Sequence, residues 1–173
     1  MKRDMQKVND DIVEMKRLIK QILISDSDIL EALNNPDIDI DSPDEFLDNN
    51  IYGFIRIPTT QDTVRNFICF TVDDIEENRF NEVMKTQYIK INVICHLDDM
   101  KTKYGIDRHD LLGFLIRDRF NWTNQFGLQF KLVTNKESTI DSDYYCRTLQ
   151  FEATKLNSLN KARMDNLYDQ LRH

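Results

Sequence analysis

The sequence predicts an α+β domain: a mainly antiparallel sheet of about five strands with helices packed on one face, a long N-terminal helix and a C-terminal helix. Three observations point there. Apolar residues recur every three or four positions near both ends of the chain and once in its middle. Runs of strand length, rich in β-branched and aromatic residues, lie between them. Gly and Pro are scarce, at 4 and 3 of 173 residues, so most of the chain is regular structure. The length fits a single domain over residues 1–173, and the helices at 1–24 and 156–173 are candidate inter-subunit extensions.

From Arg3 to Leu23, the residues Met5, Val8, Ile12, Met15, Leu18, Ile19 and Ile22 form one apolar stripe, with Lys, Glu and Asp on the other face. Such a helix is roughly 30 Å long, enough to cross a sheet or reach a neighbour. Ser25 or Ser27 then caps a short helix through Ile29, Leu30 and Leu33 that stops at Asn34-Asn35-Pro36. Asp37 to Asn50 reads as an acidic loop with one helical turn at 44–47. Ile51–Ile57 and Val64–Val72 read as strands, and Asp73 to Met84 as a charged connection. Tyr88–Leu97 alternates, placing Ile89, Ile91, Val93, Cys95 and Leu97 on one face. Asp107 caps a helix to Phe120 with Leu111, Leu112, Leu115 and Ile116 inward. Leu128–Val133 and Tyr144–Thr154 are the last strands, the second with Arg147 breaking an otherwise apolar face. Leu156, Leu159, Leu167 and Leu171 mark the C-terminal helix.

Charge is uneven. Residues 1–50 carry 6 basic and 13 acidic side chains, residues 51–100 carry 5 and 8, and residues 101–173 carry 12 and 9, for a net charge of −7. An acidic chain without a Lys/Arg cluster has little attraction for a phosphate backbone, which disfavours nucleic-acid binding as its main task. The acid-to-base polarity suits head-to-tail self-association. No apolar run reaches the length of about 18–20 residues that spans a bilayer, and the N-terminus lacks a signal-peptide core, so no membrane is expected. Cys69, Cys95 and Cys146 are dispersed in strands with no C-x-x-C, and read as reduced, buried apolar side chains.

The candidate chemistry is sparse. Asp37, Asp39, Asp41, Glu45 and Asp48 fall at positions 1, 3, 5, 9 and 12 of a calcium-loop register, but Ser42 stands where the turn needs Gly, and Asp48 is shorter than the bidentate Glu. A solvated acidic loop that meets a partner is the better reading. His96 and His109 flank Asp98-Asp99 and Asp107-Asp110 without ligand or acid–base spacing, and read as surface or interface residues, with His109 exposed in a first helical turn. Asp107 and Asp110 suit a helix N-terminus, while Arg108, Arg117 and Arg119 suit intersubunit or i,i+4 ion pairs. No phosphate loop, zinc pattern or nucleophile elbow is present, so no enzymatic activity, cofactor or metal is expected.

The alternating strand Tyr88–Leu97, its acidic turn, Tyr104-Gly105-Ile106-Asp107-Arg108-His109-Asp110-Leu111-Leu112 opening a helix, and the strand at Leu128–Val133 together resemble tailed-bacteriophage neck and tail-terminator proteins. The resemblance covers Tyr88 to Val133. It implies a virion structural protein, assembled in the host cytoplasm, that forms a homo-oligomeric ring, often a hexamer. Such a ring joins the head connector or adaptor to the tail tube and lets DNA pass through its lumen without specific binding. The acidic loop and C-terminal helix are additions to that pattern. The expected interface residues are Asp37, Asp39, Asp41, Asp107, Arg108, Asp110, Arg117 and Arg119. Two alternatives stand beside this reading: a metal-dependent enzyme or regulator using His96, Asp98, Asp99 and the acidic loop, and a small intracellular adaptor binding one partner through its terminal helices.

Overall fold

A computed structural model describes residues 10–56, 65–75 and 84–156. Three helices, α1 (Asp11–Ile24), α2 (Ser27–Leu33) and α3 (Arg108–Phe120), accompany strands β1 (Ile51–Tyr52), β2 (Asn66–Ile75), β3 (Met84–His96), β4 (Lys131–Thr139) and β5 (Tyr144–Leu156). The five strands form one sheet in the order β1-β2-β3-β5-β4. Only the β1–β2 pair is parallel. The expected α+β class and mainly antiparallel sheet are therefore correct.

Alternation along the strands divides the sheet into two faces. Ile68, Phe70 and Val72 of β2, Ile89, Ile91, Val93 and Cys95 of β3, and Leu149, Phe151 and Ala153 of β5 point to one side, where all three helices cover them. Met15, Ile19 and Leu23 descend from α1, and Leu112, Ile116 and Phe120 from α3, each pair of positions one helical turn apart. Each such side chain, fully buried, contributes about 1.5–3 kcal/mol. The other face holds a smaller cluster of Tyr52, Phe67, Cys69, Ile94, Tyr144 and Cys146. Arg56 lies over it, its guanidinium 4.8 Å from the Tyr52 ring centre and 5.3 Å from that of Phe67.

Several boundaries differ from expectation, and each has a local cause. Among the described residues α1 begins at Asp11, because Asp10 is extended (φ −124°) and its carboxylate accepts from the Ile12 and Val13 amides. The earlier part of the stripe, Arg3 to Val8, lies outside the described residues. Asp26, not Ser25 or Ser27, caps α2, while the Ser25 hydroxyl donates back to the Ile22 carbonyl. The strand expected at 51–57 stops at Tyr52, since the chain turns away at Gly53, whose carbonyl accepts from Lys16 Nζ at 2.7 Å. The strand expected at 128–133 shifts to Lys131–Thr139. Phe130 instead packs edge-on against Phe126 in the core, and the polar residues that follow pair with β5. β2 and β3 extend into the expected charged connection, which is thereby shortened to residues outside the description. The C-terminal helix beyond Leu156 also lies outside it.

The far end of the helical face is closed by charge rather than by hydrocarbon. Lys85 and Lys155 are register partners on β3 and β5, and both ammonium groups reach Asp11 and Asp74. Gln87 Nε2 adds a 2.7 Å bond to Asp74 Oδ1. The cluster ties the first turn of α1 to three strands. Burial alone pulls Asp11 upward, but Lys155 and Lys85 prevail and hold its carboxyl below the usual 3.8. Burial likewise pulls Lys85 downward, and Asp74 and Asp11 prevail to hold it above the usual 10.5.

The signs give opposite limbs. Asp11 contributes stability above its ordinary value that is lost as pH falls through the lowered one, and Lys85 contributes stability below its ordinary value that is lost as pH rises through the raised one. Thermal melts should therefore be insensitive to this cluster between about pH 5 and 9 and decline on either side. Lys85→Met should cost about 1–3 kcal/mol at neutral pH in urea unfolding and flatten the alkaline limb.

Candidate functional site

The helices meet the end of the sheet at a buried polar junction. α3 follows the 3-10 turn Leu97–Asp99, and its first residue, Arg108, is only 7% exposed. Three of its nitrogens are used. Nε donates to the Asp99 carbonyl at 2.6 Å, NH1 to the Ala32 carbonyl in α2 at 2.7 Å, and NH2 to Asp99 Oδ1 at 3.2 Å. The Asp99 carboxylate also accepts from Asn34 and from Asn66, and Asn66 donates to the Leu33 carbonyl as well. One guanidinium and one carboxylate thus join α2, β2, the 3-10 turn and α3. Asn34 ends α2 in the left-handed region (φ 51°), a conformation that Asn tolerates.

This junction forms the floor of a groove of about 540 Å³ between α2 and α3. Leu111 and Leu115 of α3 and Tyr104 and Ile106 of the preceding loop supply its apolar lining, and Asp28 and Glu31 of α2 its acidic rim. Tyr104 and Ile106 are 57% and 47% exposed. Lys103 and the Tyr104 hydroxyl both donate to Glu31 Oε1, at 2.6 and 3.1 Å, and strut the groove from loop to helix. The Lys103 bond comes first among the contacts that hold Glu31 below its usual value.

On the opposite flank of α3 lies a charged seam. His109 is buried, with Nε2 3.2 Å from Glu137 Oε1 on β4 and Nδ1 3.8 Å from Asp110 Oδ1. Arg147 of β5 runs beneath the helix to Asp110 and donates to Asn135 Oδ1 at 2.9 Å. Gly113 is what lets it pass, since a Cβ there would lie 2.5 Å from Arg147 Cδ.

The expected interface residues separate into distinct environments. Asp37, Asp39 and Asp41 are exposed on their loop, where Asp39 accepts from the Asp41 amide. Asp107 has the N-cap backbone, but its carboxylate bonds Lys101 Nζ at 2.7 Å instead of capping the helix, and that bond holds it below its usual value. Asp110 pairs with Arg147. Arg117 is exposed with its guanidinium 5.5 Å from the Phe114 ring centre, and Arg119 reaches Asp26 Oδ2 at 3.1 Å, an ion pair within the subunit. Arg108 and His109, expected at the surface, are buried. The signal for Arg108 is in the sequence: it stands four residues before Leu112 and eight before Ile116, on the stripe that faces the sheet. Leu111 and Leu115, expected inward, are the half-buried residues that line the groove.

For the metal alternative, the Asp99 oxygens are engaged by Asn34, Asn66 and Arg108, and Asp98 pairs with Arg65 at 3.0 Å. His96 Nδ1 accepts from the Asp98 amide at 3.1 Å. All three cysteines are free and buried, and burial pushes each thiol up and keeps it protonated.

Two substitutions probe this construction. Arg108→Met should cost about 3–5 kcal/mol in urea unfolding, because it leaves the Asp99 carboxylate and the Ala32 carbonyl without their donor. Arg108→Lys should recover little of it, since one ammonium cannot reproduce the planar fork. Gly113→Ala should lower the melting temperature of the parent but raise it in an Arg147→Ala background, where the helix-propensity gain of about 1 kcal/mol is no longer opposed by overlap.

Comparison with known proteins places the chain. No curated protein matches it. A family model described as YomW matches residues 16–153, from within α1 to within β5. With most of the chain, and all of the described strands except the last three residues of β5, inside that match, the protein belongs to the YomW family, a family with a phage-type name.

Proposed function

We propose that the protein is a structural, non-enzymatic component of a phage tail or neck. It forms a homo-oligomeric ring that ends the tail tube or joins it to the head connector. The observation that carries this reading is the α2–α3 groove, where exposed Tyr104 and Ile106 adjoin half-buried Leu111 and Leu115 inside an acidic rim. A contiguous apolar surface with polar edges marks a protein–protein contact. Solvent otherwise wets this hydrocarbon at a cost that a neighbour would remove.

Two further features support a ring. β4 pairs with β5 along one edge, and among the described residues no strand pairs with its other edge, which leaves backbone donors and acceptors for a neighbouring subunit. The acidic side chains Asp37, Asp39 and Asp41 stand exposed, and such a surface turned to a lumen would repel DNA phosphates and let the duplex slide. The family's phage-type name agrees with this setting.

Native mass spectrometry and light scattering across protein and salt concentration test the proposal, with electron microscopy of any assembly. Closed rings are expected, either at once or as concentration rises. A strictly monomeric chain whose melting temperature falls with EDTA would overturn the proposal in favour of a metal-dependent role.

A further inference from the structure

We infer that the α2–α3 groove is the socket for the C-terminal segment of a second copy of the chain, around Leu159 to Leu171. This inference rests on the ring reading above and names the joint. The segment carries Met164, Leu167, Tyr168 and Leu171 at spacings of three and four, an apolar stripe of the kind that lies in hydrophobic grooves as a helix. Lys161 and Arg163 precede the stripe, Asp165 and Asp169 stand between its apolar positions, and the groove presents Asp28 and the Lys103-bonded Glu31 on its α2 rim, so the basic pair rather than the whole neutral segment is what the rim would meet. Arg108 on the groove floor is neutralised by Asp99, so the rim acids are the charges an incoming segment meets alongside Lys103.

Geometry selects a second copy over the same one. The groove sits at the end of the sheet where His96 and Tyr144 are register partners, directly after the turn at Leu97–Asp99. The segment departs from the opposite end, where Leu156 pairs with Met84. A strand such as β5 covers about 40 Å between those ends at roughly 3.3 Å per residue. A helix from Leu156 to Leu171 covers only about 24 Å at 1.5 Å per residue. A stripe carried on such a helix would fall short of its own groove and would meet a neighbour's instead. A contact between unlike surfaces at opposite ends is heterologous, and repetition of it closes a ring or extends a filament. Lys103 and Tyr104, which strut the groove through exposed bonds to Glu31, are the contacts the incoming segment would displace.

The test uses full-length chains. A tail variant carries Leu167→Asp with Leu171→Asp, and a groove variant carries Ile106→Asp at an exposed position; at dilutions where the parent is dissociated, both should melt like it. Each alone should fail to assemble. Mixed one to one, they should give a dimer and nothing larger, because the mixture holds one intact tail and one intact groove. A synthetic peptide of residues 159–171 should bind the tail variant and bind at least about tenfold more weakly when Ile106→Asp is added. If the parent forms rings and both variants form them equally well, the inference is overturned while the ring reading stands. If the peptide binds irrespective of Ile106→Asp, the groove is not the socket. A parent that stays monomeric at every concentration overturns this inference, and it overturns the ring reading as well only if EDTA also lowers its melting temperature.

Discussion

The arrangement of the helices depends on one buried guanidinium. Arg108 has no exposed role left to it: its three bonded nitrogens are spent on the Asp99 side chain, the Asp99 carbonyl and the Ala32 carbonyl. The last of these is a carbonyl from the final turn of α2, a group that the helix itself leaves without a donor. Desolvating a guanidinium and a carboxylate is costly, and the pair gains little over a well-packed apolar substitute. What it contributes is geometry. A planar fork accepts α2, the 3-10 turn and the start of α3 in one relative placement, and Asn34 and Asn66 hold the facing carboxylate in line with it.

That placement creates the surface the protein offers. With Arg108 and Leu112 turned to the interior, Leu111 and Leu115 stand one position off the buried stripe and look across at α2. The loop from Thr102 to Ile106 then brings two more apolar side chains to the same side. Elsewhere the molecule closes its seams with charge: Asp11, Asp74, Lys85 and Lys155 at one end, and Asp110, Glu137 and Arg147 beside α3. The groove proposed above as a docking surface differs from these seams in being lined by exposed and half-buried hydrocarbon.

Much of the fold was legible in the chain. The period-two pattern of Tyr88–Leu97 placed Ile89, Ile91, Val93 and Cys95 on the helical face, and the period of three to four in Ile12–Ile22 and Leu111–Phe120 marked the helices that cover it. Burial follows periodicity because regular backbone geometry sends every second or every third-to-fourth side chain to one side. The boundaries were less legible. The strand expected at Leu128–Val133 continues through the polar residues Thr134–Thr139, because β5 offers them a ladder of backbone partners. Ile51–Ile57 reads as a strand, and it ends after two residues because Lys16 and the back face draw the chain away.

The sequence by itself determined the class, the central antiparallel strands, the reduced state of dispersed cysteines and the acidic character of the first half. Those properties follow from composition and from patterns local to each segment. The tertiary structure alone decided that the Arg108 fork meets Asp99 and the Ala32 carbonyl, that His109 lies inside beside Glu137, that Arg147 passes beneath Gly113, and that Asp107 bonds Lys101 rather than its own helix. It also brought Glu31 to Lys103 and Tyr104 across the groove, from positions more than seventy residues away in the chain. No local pattern encodes such meetings, since a charged side chain is buried or exposed according to whether a distant segment supplies its counterpart.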